Sequence, residues 1–297
     1  MSQLGIDVGG TKVALRLERQ DAPDGEGTRQ TVLRWPEPAA LGTDLAVLAE
    51  AVAAVGVDPD DPVTSVGVAM PATLDRAGRV RGWPNRPFWQ GLDLGEALAE
   101  LLPGATVRTA DDGDLAALAE ADAADCRDLV HIGVGTGIGG GIVLDGRISP
   151  GTARGSCEVG HLIVDRAGER CDCGRHGCVQ SVASGRAVLR RASARLDRPV
   201  DFDELRTAWL DSTAWAVEVV TDGADAVATA IVGLCELTHP QLVTVGGGFA
   251  AGLPGYVDAV TRRAAELARP AGPDVRIAPA ALGGMSSLDG AVLLARA

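Results

Sequence analysis

Lysine is almost missing from this chain. Of 27 Lys plus Arg residues, only Lys12 is a lysine. Basic charge is short overall, because 40 acidic residues leave a formal net charge of -13. A surface with that excess repels phosphate backbones and anionic lipid, so nucleic acid and membrane surfaces are poor partners. No stretch reaches the ~18 uninterrupted apolar residues of a membrane-spanning helix. The opening Met-Ser-Gln-Leu-Gly has no basic region followed by an apolar core, so the expectation is a cytoplasmic protein without a secretory signal. Low-complexity segments and short repeat arrays are absent too.

What remains is globular composition: 297 residues, 46% hydrophobic and 23% charged, enough for two ordinary domains. Six cysteines in a reducing compartment point to metal or core packing before disulfides. Residues 4–17, LGIDVGGTKVALRL, read as two strands around a Gly-Gly-Thr turn. Helices are expected over 44–56, 94–102, 114–124, 184–196, 202–210, 223–238 and 288–297. Strands are expected over 65–70, 105–110 and 241–248, and residues 128–148 read as strand, glycine turn, strand and an Asp-Gly hairpin turn. Residues 79–91, RVRGWPNRPFWQG, read as a loop, with Trp89 a core residue or, failing that, a lid. The mixture of hairpins and helices is α/β without a clean βαβ alternation. LGIDVGGTKVALRL and VHIGVGTGIGGGIVL echo one another, which suggests two related halves, each presenting a glycine turn to a shared cleft.

Glycine turns let backbone N–H groups approach phosphate oxygens, and Thr or Lys adds side-chain donors. DVGGTK at 7–12 supplies all three residue types, the lone lysine included, and GTGIGGG at 135–141 supplies a second cradle. Neither is a P-loop, since no Gly-x4-Gly-Lys-Ser/Thr exists. Gly135-x-Gly137-x-x-Gly140 has the dinucleotide spacing, but a Rossmann fingerprint must open a helix and GIVLDG continues as a strand. Further on, CDCGRHGC at 171–178 crowds Cys171, Cys173 and Cys178 into eight residues. Three thiolates suit Zn²⁺, which takes four N/S ligands in a tetrahedron. By sequence the fourth is either His161 or His176. Cys126, Cys157 and Cys235 read as packing residues, and His131 and His239 as structural.

These motifs together resemble the ROK family of sugar kinases. DVGGTK resembles the family's first phosphate motif, GTGIGGG its second and PQLVTVGGG its adenosine segment. EVGH at 158–161 followed by CDCGRHGC resembles its Glu-x-Gly-His and Cys-x-Cys-Gly-x-x-Gly-Cys signature. The resemblance implies an actin/hexokinase-like ATPase fold, two domains around a central cleft. The expected division is a small domain over 1–110, with the 285–297 helix packing back on it, and a large domain over 111–284. It also implies transfer of the γ-phosphoryl of ATP to a sugar 6-hydroxyl, with Mg²⁺, a structural Zn²⁺ held by His161, Cys171, Cys173 and Cys178, and a homodimer. Asp112, in TADDGDLAALAE, matches the catalytic aspartate, with Asp114 the better helix N-cap. Asp7 would help organise Mg²⁺, while Gly9, Gly10, Thr11, Lys12, Gly135, Thr136, Gly137, Gly246, Gly247 and Gly248 would face the nucleotide. Sugar contacts would come from Asn85, Asp111, Asp112, Glu158, His161 and Gln180. Closure around sugar and ATP would exclude water.

The chain departs from the family's pattern at positions that matter. Gln180 stands where the family usually has glutamate, facing the C1/C2 end of the sugar, and Asp111 where it usually has asparagine, facing the 3- and 4-hydroxyls. Negative charge has moved across the sugar. A carboxylate beside an ammonium gains a charge-assisted hydrogen bond, so the expected substrate is 3-amino-3-deoxyglucose (kanosamine). The alternatives are a glucokinase, or a non-catalytic sugar-binding ROK protein. ROK repressors carry a helix-turn-helix domain ahead of the first phosphate motif, which here begins at residue 7. Ala72 replaces a frequent glycine after Pro71 and bears on loop shape only.

Overall fold

A computed structural model describes residues 2–19, 27–58 and 60–297. The elements begin with β1 Ser2–Val8, β2 Lys12–Arg19, β3 Thr28–Arg34, α1 Leu41–Ala54, β4 Val63–Ala69, β5 Thr73–Leu74 and β6 Val80–Gly82. Then come α2 Leu94–Leu101, β7 Thr106–Ala110, α3 Asp112–Ala123, β8 Leu129–Val134, β9 Ile138–Leu144 and β10 Arg147–Ser149. The remainder is mostly helical: α4 Val179–Ala183, α5 Gly185–Leu196, α6 Phe202–Leu210, α7 Ala214–Thr238, β11 Leu242–Gly246, α8 Gly248–Gly252, α9 Tyr256–Leu267, β12 Arg276–Pro279 and α10 Ser286–Arg296. Among the described residues no helix is long and apolar enough to cross a membrane.

The chain divides into two compact units, one of residues 1–119, 148–156 and 285–297, the other of 120–147 and 157–284. The division falls inside α3, where the sequence reading put it at residue 110. The first unit is built on a sheet of order β3-β2-β1-β4-β7. β1, β2 and β3 run antiparallel, and β4 and β7 continue in parallel. In the second unit β9-β8-β11-β12 repeats the order β2-β1-β4-β7, with β8 and β9 antiparallel and β11 and β12 parallel to β8. The echo between the two strand-turn-strand segments thus becomes two sheets of one design.

The same alternation that reads as strands fills the cores. Leu4, Ile6, Leu15, Val66 and Val68 are buried in the first unit, Val130, Ile132, Val243 and Val245 in the second. α10 lies on the first sheet because that sheet keeps glycine under it. A Cβ on Gly67 would stand 1.9 Å from the Ala291 carbonyl oxygen, and one on Gly5 2.6 Å from Val292 Cγ2.

Several elements differ from expectation. α7 starts at Ala214 rather than 223, because Ala216, Val219, Val220, Gly223, Ala224 and Val227 form one buried face. Helical packing there overrides the weak propensity of its valines. β3, α9 and β12 had no counterpart in the sequence reading. β3 is an edge strand with mostly exposed residues, so it lacks the apolar alternation that betrays a strand. The N-cap of α3 is also reassigned. Asp111 Oδ1 accepts from the Gly113 N–H at 3.0 Å, and the Asp111 carbonyl takes the Leu115 N–H. Asp114 lies within the first turn and is 1% exposed.

Candidate active site

In the first unit, β1 and β2 are joined by a turn that holds Gly9, Gly10 and Thr11, with Lys12 the first residue of β2. The turn closes through Gly9 N–H to the Lys12 carbonyl at 3.0 Å. A Cβ on Gly10 would lie 2.8 Å from Asn85 Nδ2, so glycine is what lets the expected sugar contact approach the turn. Asp7, near the end of β1, is close enough to Asp112 and Lys12 to feel both charges. Burial first, then Asp112, raise the Asp7 carboxyl to about 6, while Lys12 pulls the other way. Asp111 and Asp112 stand side by side at the N-terminus of α3, and one oxygen of each accepts from the Gly113 N–H, at 3.0 and 2.9 Å. The helix end favours carboxylates there. Asp7 thus feels a second carboxylate, Asp112, and the chain's one lysine.

In the second unit, Gly135, Thr136 and Gly137 form the β8–β9 turn, with Thr136 exposed. The Gly135 carbonyl takes the Gly185 N–H at the start of α5, at 2.8 Å. Gly246, Gly247 and Gly248 lead from β11 into α8. Gly247 has a φ of 87°, and a Cβ there would stand 2.5 Å from the Val134 carbonyl oxygen, so this turn stacks directly on the end of β8. The second and third glycine turns are therefore neighbours. Gln180, in the first turn of α4, accepts from the Ile138 N–H through Oε1 at 3.0 Å. Its oxygen also lies 3.1 Å and 3.4 Å from where a Cβ would stand on Gly137 and Gly160. Gln180 thus joins the second glycine turn to the Glu158–His161 segment, whose helical turn is closed by His161 N–H to the Glu158 carbonyl at 2.9 Å.

A cluster of His161, Cys171, Cys173 and Cys178 completes this unit, with its ligand atoms all within 4.8 Å of one another. Cys171 Sγ is 3.6 Å from His161 Nδ1, and Cys173 Sγ is 3.7 Å from Cys178 Sγ. A tetrahedron with metal–sulfur bonds near 2.3 Å places ligand atoms roughly 3.8 Å apart, so the donor set fits a four-coordinate metal. The fold brings the donors together locally. Cys171 N–H donates to the Arg175 carbonyl at 2.8 Å and closes the cysteine loop, and Val179 N–H donates to the Leu162 carbonyl at 2.9 Å beside His161. Of the two histidines open by sequence, His176 pairs by backbone with Arg170 and is not among the four donors. The Arg175 N–H above all holds the Cys173 thiol down at about 7, so a thiolate is at hand at neutral pH.

Of the residues read as structural or packing, His239 is exposed at the C-cap of α7 and Cys126 is half-buried. His131 is buried, with Nδ1 2.9 Å from Thr244 Oγ1, and burial holds it down at about 4. Burial pushes Cys235 up to about 11, and Trp89 is fully buried.

Comparison with known proteins decides the family. A profile of the ROK family matches residues 3–297. The chain belongs to the ROK family. Within it the sequence is 49% identical to the kanosamine kinase of Amycolatopsis mediterranei, over 98% of this chain and 95% of that protein. The ROK hexokinase of Thermus thermophilus superposes with a TM-score of 0.85 at 32% identity, covering 100% of this chain and 98% of its own. A ROK glucokinase of Streptomyces griseus, solved with glucose and AMPPNP, gives 0.80 at 25% identity, covering 100% and 99%. The fold is the actin/hexokinase-like one, and this ROK protein is a sugar kinase.

One ROK-kinase residue escaped the sequence reading. Trp35 Nε1 donates to the Gly9 carbonyl at 2.7 Å, across 26 positions of sequence. No spacing motif links the two, and an isolated tryptophan after an edge strand carries no signal of its own.

Proposed function

We propose that this kinase transfers the γ-phosphoryl of ATP to the 6-hydroxyl of 3-amino-3-deoxyglucose in preference to glucose. The observation that carries the reading is Asp111. It stands beside Asp112 at the α3 N-terminus, oriented by the Gly113 N–H, where the family pattern has a neutral amide. A second carboxylate suits a sugar with an ammonium at C3. A charge-assisted hydrogen bond is worth about 1.5–3 kcal/mol, which is roughly ten- to a hundredfold in binding. The 49% identity to a kanosamine kinase supports the same substrate.

In this reading Asp112 accepts the proton of the attacking hydroxyl as transfer proceeds. Asn85 and Asp111 in the first unit hold sugar hydroxyls or the amine, and Glu158, His161 and Gln180 of the second are the other sugar contacts. Phosphates are met by the N–H groups of Gly9, Gly10 and Thr11, by Lys12, and by the Gly135–Gly137 turn. The Gly246–Gly248 turn serves the adenosine. Asp7 would help organise Mg²⁺, which neutralises phosphate charge when bound. His161 Nδ1 and the three thiolates hold Zn²⁺ in a closed, non-redox site. By the family resemblance the enzyme acts in the cytoplasm as a homodimer.

The test is kcat/KM for kanosamine, glucose, glucosamine and N-acetylmannosamine with ATP, on wild type and Asp111→Asn. Kanosamine should lead in wild type and lose about tenfold or more against glucose in the variant. Glucose turned over as well as kanosamine, or a ratio unmoved by Asp111→Asn, returns the enzyme to the glucokinases.

A further inference from the structure

The first unit buries an ion pair that no step of phosphoryl transfer uses. Asp44, in α1, is 0% exposed and Arg86 is 4% exposed. Arg86 Nη1 donates to both Asp44 oxygens, at 2.8 and 2.7 Å, and Trp89 Nε1 adds a third hydrogen bond at 2.8 Å. The guanidinium also stands over the Trp35 ring, 5.2 Å from its centroid, and Trp35 meets Trp89 edge-on at 5.9 Å. A buried pair contributes little net stability, because desolvation offsets the attraction. What this one touches is more telling.

Trp35 grips the first glycine turn twice. Its indole N–H donates to the Gly9 carbonyl at 2.7 Å, and its backbone N–H donates to the Thr11 carbonyl at 3.1 Å. Those two carbonyls lie on either side of Gly10. Asn85, the chain neighbour of Arg86, packs against Gly10 so closely that a Cβ would stand 2.8 Å from its amide nitrogen. One cluster therefore holds the turn through Trp35 and the Asn85 loop through Arg86.

We propose that Trp35 is a positioning residue for the first phosphate turn, and that the Asp44–Arg86 pair keeps this turn and Asn85 in register. The inference rests on the reading that Gly9–Thr11 meet phosphate and Asn85 meets sugar. A turn whose carbonyls are pinned from behind presents its N–H groups in one direction, which is what a transferring phosphoryl group requires.

Trp35→Phe keeps an aromatic ring and removes only the indole N–H. Loss of one neutral hydrogen bond is worth about fivefold. The variant should lose about five- to tenfold in kcat/KM for ATP, with the sugar KM unchanged within about twofold. Arg86→Lys, which keeps charge but loses the planar guanidinium over the Trp35 ring, should raise both KM values. ATP kinetics of wild type in Trp35→Phe, or a sugar KM raised as much as the ATP KM, overturns the inference. An Arg86→Lys variant with both KM values unchanged removes the ion pair from it.

If Trp35→Phe does not fold, wild-type protein decides the matter. In a ¹⁵N-indole spectrum the Trp35 signal should exchange slowly and shift on addition of AMPPNP. The Trp209 signal, whose N–H is bonded to the Pro254 carbonyl, should stay still. An unmoved Trp35 signal overturns the inference. This measurement needs no sugar, so it separates failure here from failure of the substrate reading, which the wild-type sugar panel reports.

Discussion

Replacing Asp7 with asparagine should make this enzyme more stable and less active, and the gain should depend on pH in a defined way. Burial and the charge of Asp112 raise the Asp7 carboxyl from 3.8 to about 6 in the folded chain. A shift of about two units corresponds to about 3 kcal/mol. The sign follows from linkage. The folded state holds its proton more tightly than the unfolded one, so protonation favours folding. That contribution is complete below pH 4 and is lost as pH rises through about 6. Above pH 7 the ionised carboxylate costs the folded chain its full ~3 kcal/mol, and neutral asparagine escapes that cost. Scanning calorimetry of both proteins from pH 4 to 8, in EDTA and without nucleotide, should show melting curves that coincide at the acid end. They should separate between pH 4 and 6 and stay about 6 °C apart above pH 7, at about 2 °C per kcal/mol. Mg²⁺ with AMPPNP should then stabilise wild type more than the variant. A difference independent of pH, or a variant less stable at pH 7.5, would refute the reasoning that repulsion and burial govern this carboxyl.

Other expectations follow from the same geometry. Asp112→Asn should lower kcat by about 10²- to 10⁴-fold with sugar affinity kept, as measured by calorimetric titration. Purified protein should carry one zinc per chain by elemental analysis, and Cys178→Ser should lose the metal and melt earlier; a metal-free wild type of normal stability would remove the cluster's structural role. Gly67→Ala should destabilise by about 1–3 kcal/mol or more in urea unfolding. The new methyl would meet the Ala291 carbonyl at 1.9 Å, and that backbone cannot swing aside.

What could be read from the chain itself was local. The hairpin around Gly9–Thr11, the β8–β9 turn and the crowding of Cys171, Cys173 and Cys178 are each written within about a dozen residues. Their geometry depends on neighbours in sequence: glycine to free a backbone N–H, closely spaced cysteines to bring their sulfurs together. The two matching strand-turn-strand segments also announced the two sheets of one order. Strands and helices with strong apolar periodicity were legible for the same reason. β3 was not, since an exposed edge strand has no periodicity to show.

Tertiary structure alone decided which distant groups meet. It chose His161 over His176 for the cysteine cluster, by pairing Leu162 with Val179. It set Gln180 on Ile138 across 42 positions, and Arg86 on Asp44 across another 42. It put Trp35 behind Gly9, and it made Asp111 rather than Asp114 the cap of α3. Sequence periodicity tells a residue which face it shares with its near neighbours. It carries no record of distances across a folded core, and those distances raise the Asp7 carboxyl and pin the Gly9–Thr11 turn.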